Sequence, residues 1–212
     1  MASTVRAGII CVLVFVLCHA SSFCLAQDLI TDQVGIVVER GQIYGITPAE
    51  GIVRQFLSSG EEILILESQG VTGYVQTTKR LLGFSGRMRR WVELSLASNE
   101  QIVEFTVTPW MVVVIGKRQG YGFQSDLGRW KKESWGAGEA VEHVRVKSHV
   151  ALVGTNRRAV AFSAVTGGFF SLDLLQPLLM ENVQINDHIV LLHEAARTFV
   201  FRSGLAIWAE LP

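Results

Sequence analysis

The chain has 212 residues, 49% of them hydrophobic and 18% charged, with 19 basic and 19 acidic side chains that cancel. That length suffices for one domain with a sizeable core. The composition excludes a disordered chain, and the balanced charge argues against bulk electrostatic attraction to nucleic acid.

The first residues read as an export signal. Arg6 is a lone basic residue, and residues 7–18 form an apolar run that ends at His19, too short to span a membrane. Cys24-Leu25-Ala26 offers a small-x-small cleavage pattern before Gln27, with Cys18-His19-Ala20 as a weaker alternative. Residues 1–26 are therefore expected to be a removed signal peptide, and 27–212 a single secreted or periplasmic domain. Cys11, Cys18 and Cys24 all fall in the leader, so the exported domain is expected to be disulfide-free.

Beyond the leader the chain repeats. Phe84, Phe123, Phe162 and Phe201 stand 39 residues apart, and Ile46 stands 38 before Phe84. Each phenylalanine is followed seven positions later by a large aromatic: Trp91, Trp130, Phe169 and Trp208. A strict period of this length marks stacked or radial repeats. Each unit reads as four short strands bounded by Gly, Asn and Asp, clearest in the fourth unit at 150–154, 159–163, 169–174 and 183–185. The first strand of each unit is apolar on both faces, as in Val112-Val113-Val114-Ile115 and Ala151-Leu152-Val153, which suits a strand near a crowded axis.

The chain stops before a fourth strand of the fifth unit can form. At the other end, residues 28–32 precede the first inner strand as 183–187 precede the fifth. The expectation is an all-β, five-bladed β-propeller of four-stranded antiparallel blades, closed by an N-terminal strand that completes the last C-terminal blade. In length and layout the repeat resembles propeller blades of the WD-repeat, kelch and quinoprotein type. Ala161-Phe162-Ser163-Ala164-Val165-Thr166-Gly167 is similar to the A-x-D-x-x-T-G core of quinoprotein-type blades, with Ser163 in place of the acid. The resemblance implies a fold and no cofactor.

The turns that lead into the inner strands should ring one mouth of the central channel. They carry Gln33, Val71, Trp110, His149 and His188, preceded by Asp32, Gly70, Pro109, Ser148 and Asp187. Gln33, Trp110, His149, His188, Asp32 and Asp187 are candidate ligand-binding residues, with Trp110 as a stacking platform and the histidines as hydrogen-bonding groups. Two histidines without a third strong ligand do not define a metal site, and no metal is expected. On the opposite face Arg80, Arg118, Arg158 and Arg197 recur in the next turns and could form a basic band. Arg87, Met88, Arg89 and Arg90 crowd one turn of the second unit, and residues 177–180 form an apolar connection.

No catalytic triad, phosphate loop, zinc motif or calcium loop is present, so no catalytic residue is assigned. Glycoside hydrolysis would need two facing carboxylates, for which Asp32 and Asp187, with Asp126 on the same face, are the candidates. The short connections leave little wall for a deep cleft. The leading expectation is an exported non-catalytic protein that recognises carbohydrate or another polar ligand in a lectin-like way. A protein-interaction scaffold is the alternative, and a glycosidase-type enzyme comes third. The closed ring needs no partner, so a monomer is expected.

Overall fold

The computed structural model describes residues 33–48 and 51–212. The expected signal peptide, Asp32 and the expected closing strand at 28–32 lie outside the described residues. The described chain runs from strand to strand, with one short 3-10 turn at Met180–Asn182.

The first sheet contains β1 (Gly35–Glu39), β2 (Gln42–Ile46) and β3 (Ile52–Phe56). The second contains β4 (Ile63–Gln69), β5 (Thr72–Thr77), β6 (Arg80–Ser85) and β7 (Arg90–Ser95). The third contains β8 (Ile102–Val107), β9 (Met111–Gly116), β10 (Gln119–Gln124) and β11 (Arg129–Ser134). The fourth contains β12 (Val141–Val146), β13 (Val150–Thr155), β14 (Arg158–Ser163) and β15 (Gly168–Asp173). The fifth contains β16 (Val183–Ile185), β17 (Ile189–Glu194), β18 (Arg197–Arg202) and β19 (Ile207–Leu211). Every sheet is an antiparallel meander whose strand order follows the chain. Five such sheets, each packed on the next, are the blades of an all-β propeller.

The blade boundaries fall one strand earlier than the sequence suggests. The strand before each inner strand pairs with it through a tight hairpin, as in Gln69↔Thr72 and Ile185↔Val190. A short loop costs less closure entropy than the longer connection that separates β15 from β16. The fifth blade therefore has its four strands between 183 and 211, and the first blade is the one with three described strands.

The central strands of the second, third and fourth blades are buried almost throughout, from β5 and β6 to β13 and β14. Four apolar clusters sit between successive blades. In one of them Tyr74 and Leu81 of the second blade meet Val112, Val114, Tyr121 and Phe123 of the third. The 39-residue markers make these interfaces repeat. The ring of Phe84 lies against Gly45, Phe123 against Gly83, and Phe162 against Gly122. A Cβ at Gly122 would come within 2.2 Å of the Phe162 ring. Each phenylalanine therefore needs a hollow in the blade before it.

Where the second aromatic is a tryptophan, it ties the same interface with a hydrogen bond. The indole N–H of Trp91 donates to the Val53 carbonyl at 3.0 Å, that of Trp130 to Val92 at 3.0 Å, and that of Trp208 to Phe170 at 2.9 Å. Trp91 also packs on Phe84, Trp130 on Phe123, and Trp208 on Phe201. The spacing thus encodes blade-to-blade packing.

Candidate functional site

Three consecutive blades bring Trp110, His149 and His188 into one stack. The Trp110 and His149 rings lie 5.2 Å apart at 21°, and the His149 and His188 rings 4.2 Å apart at 24°. Arg87 of the second blade extends the stack, its guanidinium 4.9 Å from the Trp110 ring centre and 3.3 Å from an Asp126 carboxylate oxygen. Arg87, Trp110, His149 and His188 therefore form a ladder with one rung from each of four successive blades. Trp110 is flanked by Arg87 from the blade before and His149 from the blade after, so it presents mainly its edge.

Backbone hydrogen bonds fix the rungs in two directions. Within each blade the rung's carbonyl accepts from the following turn: Trp110 from Ser125, His149 from Ala164, and His188 from Ser203, at 2.9 to 3.0 Å. Between blades, the His149 N–H donates to the Asp187 carbonyl at 3.1 Å, and the Ser148 hydroxyl donates to the Asp187 carboxylate at 3.0 Å. His188 Nδ1 lies 3.2 Å from the Ser203 hydroxyl. His149 Nδ1 is buried with no hydrogen-bond partner among the described residues.

The electrostatics follow from this crowding. Burial lowers the His149 pKa, and the adjacent His188 lowers it further, which favours the neutral imidazole of His149 at neutral pH. Asp187 is held below the usual carboxylate range, chiefly by the Ser148 hydroxyl, then by the Ser148 backbone N–H and the two histidines. It is ionised, an acceptor and a poor proton donor. Asp187 and His188 also line a shallow depression with Lys147, Asn186 and Ile189. A neighbouring depression continues along the outer strands through Arg145, Gln184 and Asn186.

Of the residues singled out from the sequence, Trp110, His149, His188 and Asp187 come together. Gln33 is exposed at the start of the described chain. Asp32 lies outside the described residues. Arg87 joins the ladder although the sequence marked it only as part of a basic turn; the contact crosses a blade boundary and has no local signal.

The expected basic band is largely balanced by acids of the same or the preceding blade and of the connections between blades. Arg80 pairs with Glu61 at 2.8 Å and with Glu93, Arg158 with Glu139 at 2.7 Å and with Glu133, and Arg197 with Glu194 at 2.7 Å. Arg118 stays exposed, and its backbone N–H donates to Glu100 at 3.1 Å. Burial alone would raise the Glu61 pKa. Hydrogen bonds from Arg80, Thr77 and the Ser58 N–H outweigh it and hold the group at about 2. Glu139 is lowered in the same way, with Arg158, Gly136 and Thr155 outweighing burial. The sequence did carry a clue to these clamps: Glu61, Glu100 and Glu139 also stand 39 apart. The next member is Leu178, which buries its side chain against Gly154, while the acid of the fifth blade moves to Glu194. Leu175 and Leu179 in the same connection remain exposed.

No family model and no curated protein matches the chain. Among solved structures it is similar to BamB from Moraxella catarrhalis, at 11% identity over 85% of this chain and 61% of that one, with a TM-score of 0.34. It is similar to Kluyveromyces lactis Hsv2 at 12% identity, covering 85% of this chain and 61% of that one, with a TM-score of 0.36. It is also similar to the extracellular domain of the putative hybrid two component system BT4673 from B. thetaiotaomicron, at 13% identity over 81% and 28% of the two chains, with a TM-score of 0.37. The chain thus spans about three fifths of the first two. No helix among the described residues is long and apolar enough to cross a membrane.

Proposed function

We propose that this protein is an exported, non-catalytic binding protein that takes a carbohydrate or another polar ligand at the propeller mouth. The observation that carries the reading is the ladder of Arg87, Trp110, His149 and His188 with Asp187 beside it. Its rungs are rigid, their backbones are pinned on both sides, and ordering them on binding costs little conformational entropy. A neutral His149 offers both a donor and an acceptor nitrogen, and ionised Asp187 offers acceptors, a set suited to hydroxyl groups. Because Trp110 is flanked on both sides, recognition runs through hydrogen bonds at the ladder's edge more than through stacking on the indole.

The depressed Asp187 weighs against the glycosidase reading, since a general acid needs a raised pKa. Exposed Leu175 and Leu179 favour the scaffold reading as the second choice. A glycan array probed with the wild type and an Asp187→Ala/His188→Ala variant tests the first reading. Both residues are exposed, so the variant should melt close to wild type. Binding to one sugar class that the variant loses at least about tenfold, the effect of about 1.4 kcal/mol, supports the site. Undiminished binding by the variant removes it.

A further inference from the structure

Asp187 and His188 of the ladder stand at one end of a trough that runs away from the mouth between the fourth and fifth blades. Two depressions of ≈ 470 and ≈ 610 Å³ share Lys147, Ile185 and Asn186, so they are continuous. Each is of the size that holds a small ligand. Strand β12 and the turn after it line one wall with Arg145 and Lys147; β16 and its turn line the other with Gln184 and Asn186. All four residues are exposed, with partly buried Val146 and Ile185 interleaved along the two walls.

The fold does not demand the two cations. Their counterparts at the same repeat positions are Glu67 and Gln69 in the second blade, Thr106 and Thr108 in the third, and Gln184 and Asn186 in the fifth. Nor do they act as latches. Arg80, Arg158 and Arg197 are committed to acids, and Arg90 and Arg129 to carbonyls of the next blade. Among the described residues, Arg145 and Lys147 have no ion pair. Asp187 is the one acid among the described residues that line the trough, and it already accepts from the Ser148 hydroxyl at 3.0 Å. The charges are also separated along the trough: Asp187 lines the depression at the ladder, and Arg145 the one beyond it.

Arginine grips an oxyanion through paired hydrogen bonds and lysine meets it as a point charge, while amide side chains both donate to and accept from hydroxyls. Building on the binding role proposed above, we propose that the ligand is an acidic oligosaccharide lying along this trough. Arg145 and Lys147 hold its carboxylate or sulfate groups, and Gln184, Asn186 and the ladder edge hold its hydroxyls. Ionised Asp187 repels an anion, so the acidic groups lie towards Arg145 and the neutral part of the chain towards the mouth.

Calorimetric titration with oligogalacturonate, a sulfated dextran oligosaccharide, its unsulfated counterpart and a glutamate oligomer tests this. The wild type should bind an acidic saccharide saturably and more tightly than the unsulfated one. Which acidic probe binds identifies the group as carboxylate or sulfate. Arg145→Gln/Lys147→Gln should weaken that binding at least about tenfold, the effect of lost hydrogen bonds to charged groups, and should melt like the wild type because both residues are exposed. Added salt should weaken binding more in the wild type than in this variant. Acidic-saccharide binding that Arg145→Gln/Lys147→Gln loses and Asp187→Ala/His188→Ala keeps supports the trough and removes the mouth site. Unsulfated dextran bound as tightly as the acidic probes, and equally by Arg145→Gln/Lys147→Gln, overturns the trough and leaves the mouth site standing. A glutamate oligomer bound as tightly as the acidic saccharides overturns the ligand class, and failure of both acidic saccharides to bind overturns the proposal outright.

Discussion

Glu61→Gln probes the clamp that joins the first two blades. The wild-type carboxylate accepts from Arg80, Thr77 and the Ser58 N–H, and its side chain is fully buried. A shift from 4.5 to about 2 corresponds to about 3 kcal/mol of stability at neutral pH. The folded pKa lies below the unfolded one, so this stability is present above the unfolded value and is lost as the pH falls from about 4.5 towards about 2. Glutamine keeps the shape and one acceptor but removes the charge beside Arg80, which retains Glu93. The variant should therefore lose about 2–3 kcal/mol at pH 7, with the difference from wild type shrinking as the pH drops through that window. Urea unfolding followed by tryptophan fluorescence at pH 7, 5, 4 and 3 measures it. A difference that stayed constant across the series would refute the electrostatic account and leave only a packing effect.

Trp208→Phe removes the indole donor to Phe170 but keeps an aromatic ring; it should cost about 1 kcal/mol in urea unfolding, against about 3–5 kcal/mol for Trp208→Ala. The fourth blade already places Phe169 at this position, so a loss as large as alanine's would contradict the assigned role. Gly122→Ala should destabilise by about 1–3 kcal/mol, because the added methyl meets the buried Phe162 ring; a neutral substitution would mean the ring has room to move. His188→Gln removes one of the two causes that lower the His149 pKa. In a histidine NMR titration His149 should titrate higher than in wild type while staying below the ordinary value, since burial persists; an unchanged midpoint would show that the two rings do not interact.

The architecture was legible because the period is strict. Phenylalanines 39 apart, aromatics seven positions later and apolar inner strands each point to the same stacked blades, and the aromatics proved to be interface residues. The blade boundary was harder to read, because β16 precedes β17 by one turn and follows β15 by a long connection, and spacing alone does not say which neighbour it pairs with. That Trp110, His149 and His188 come together followed from their constant offset, but their geometry did not. Whether Trp110 shows a face or an edge depends on Arg87, which arrives from another blade. The arginine turns misled for the same kind of reason: their partners Glu61 and Glu139 lie 19 residues away on a neighbouring strand's turn, so the charges look free in sequence and are paired in space.

The most direct test of the binding account is a histidine-detected NMR titration of the purified protein with whichever sugar class the array identifies. The account predicts saturable shifts in His149 and His188 together, with His193, in the fifth blade's β17–β18 hairpin, left unmoved. Saturable binding that leaves both ladder histidines unshifted would contradict the account and place the ligand elsewhere on the propeller.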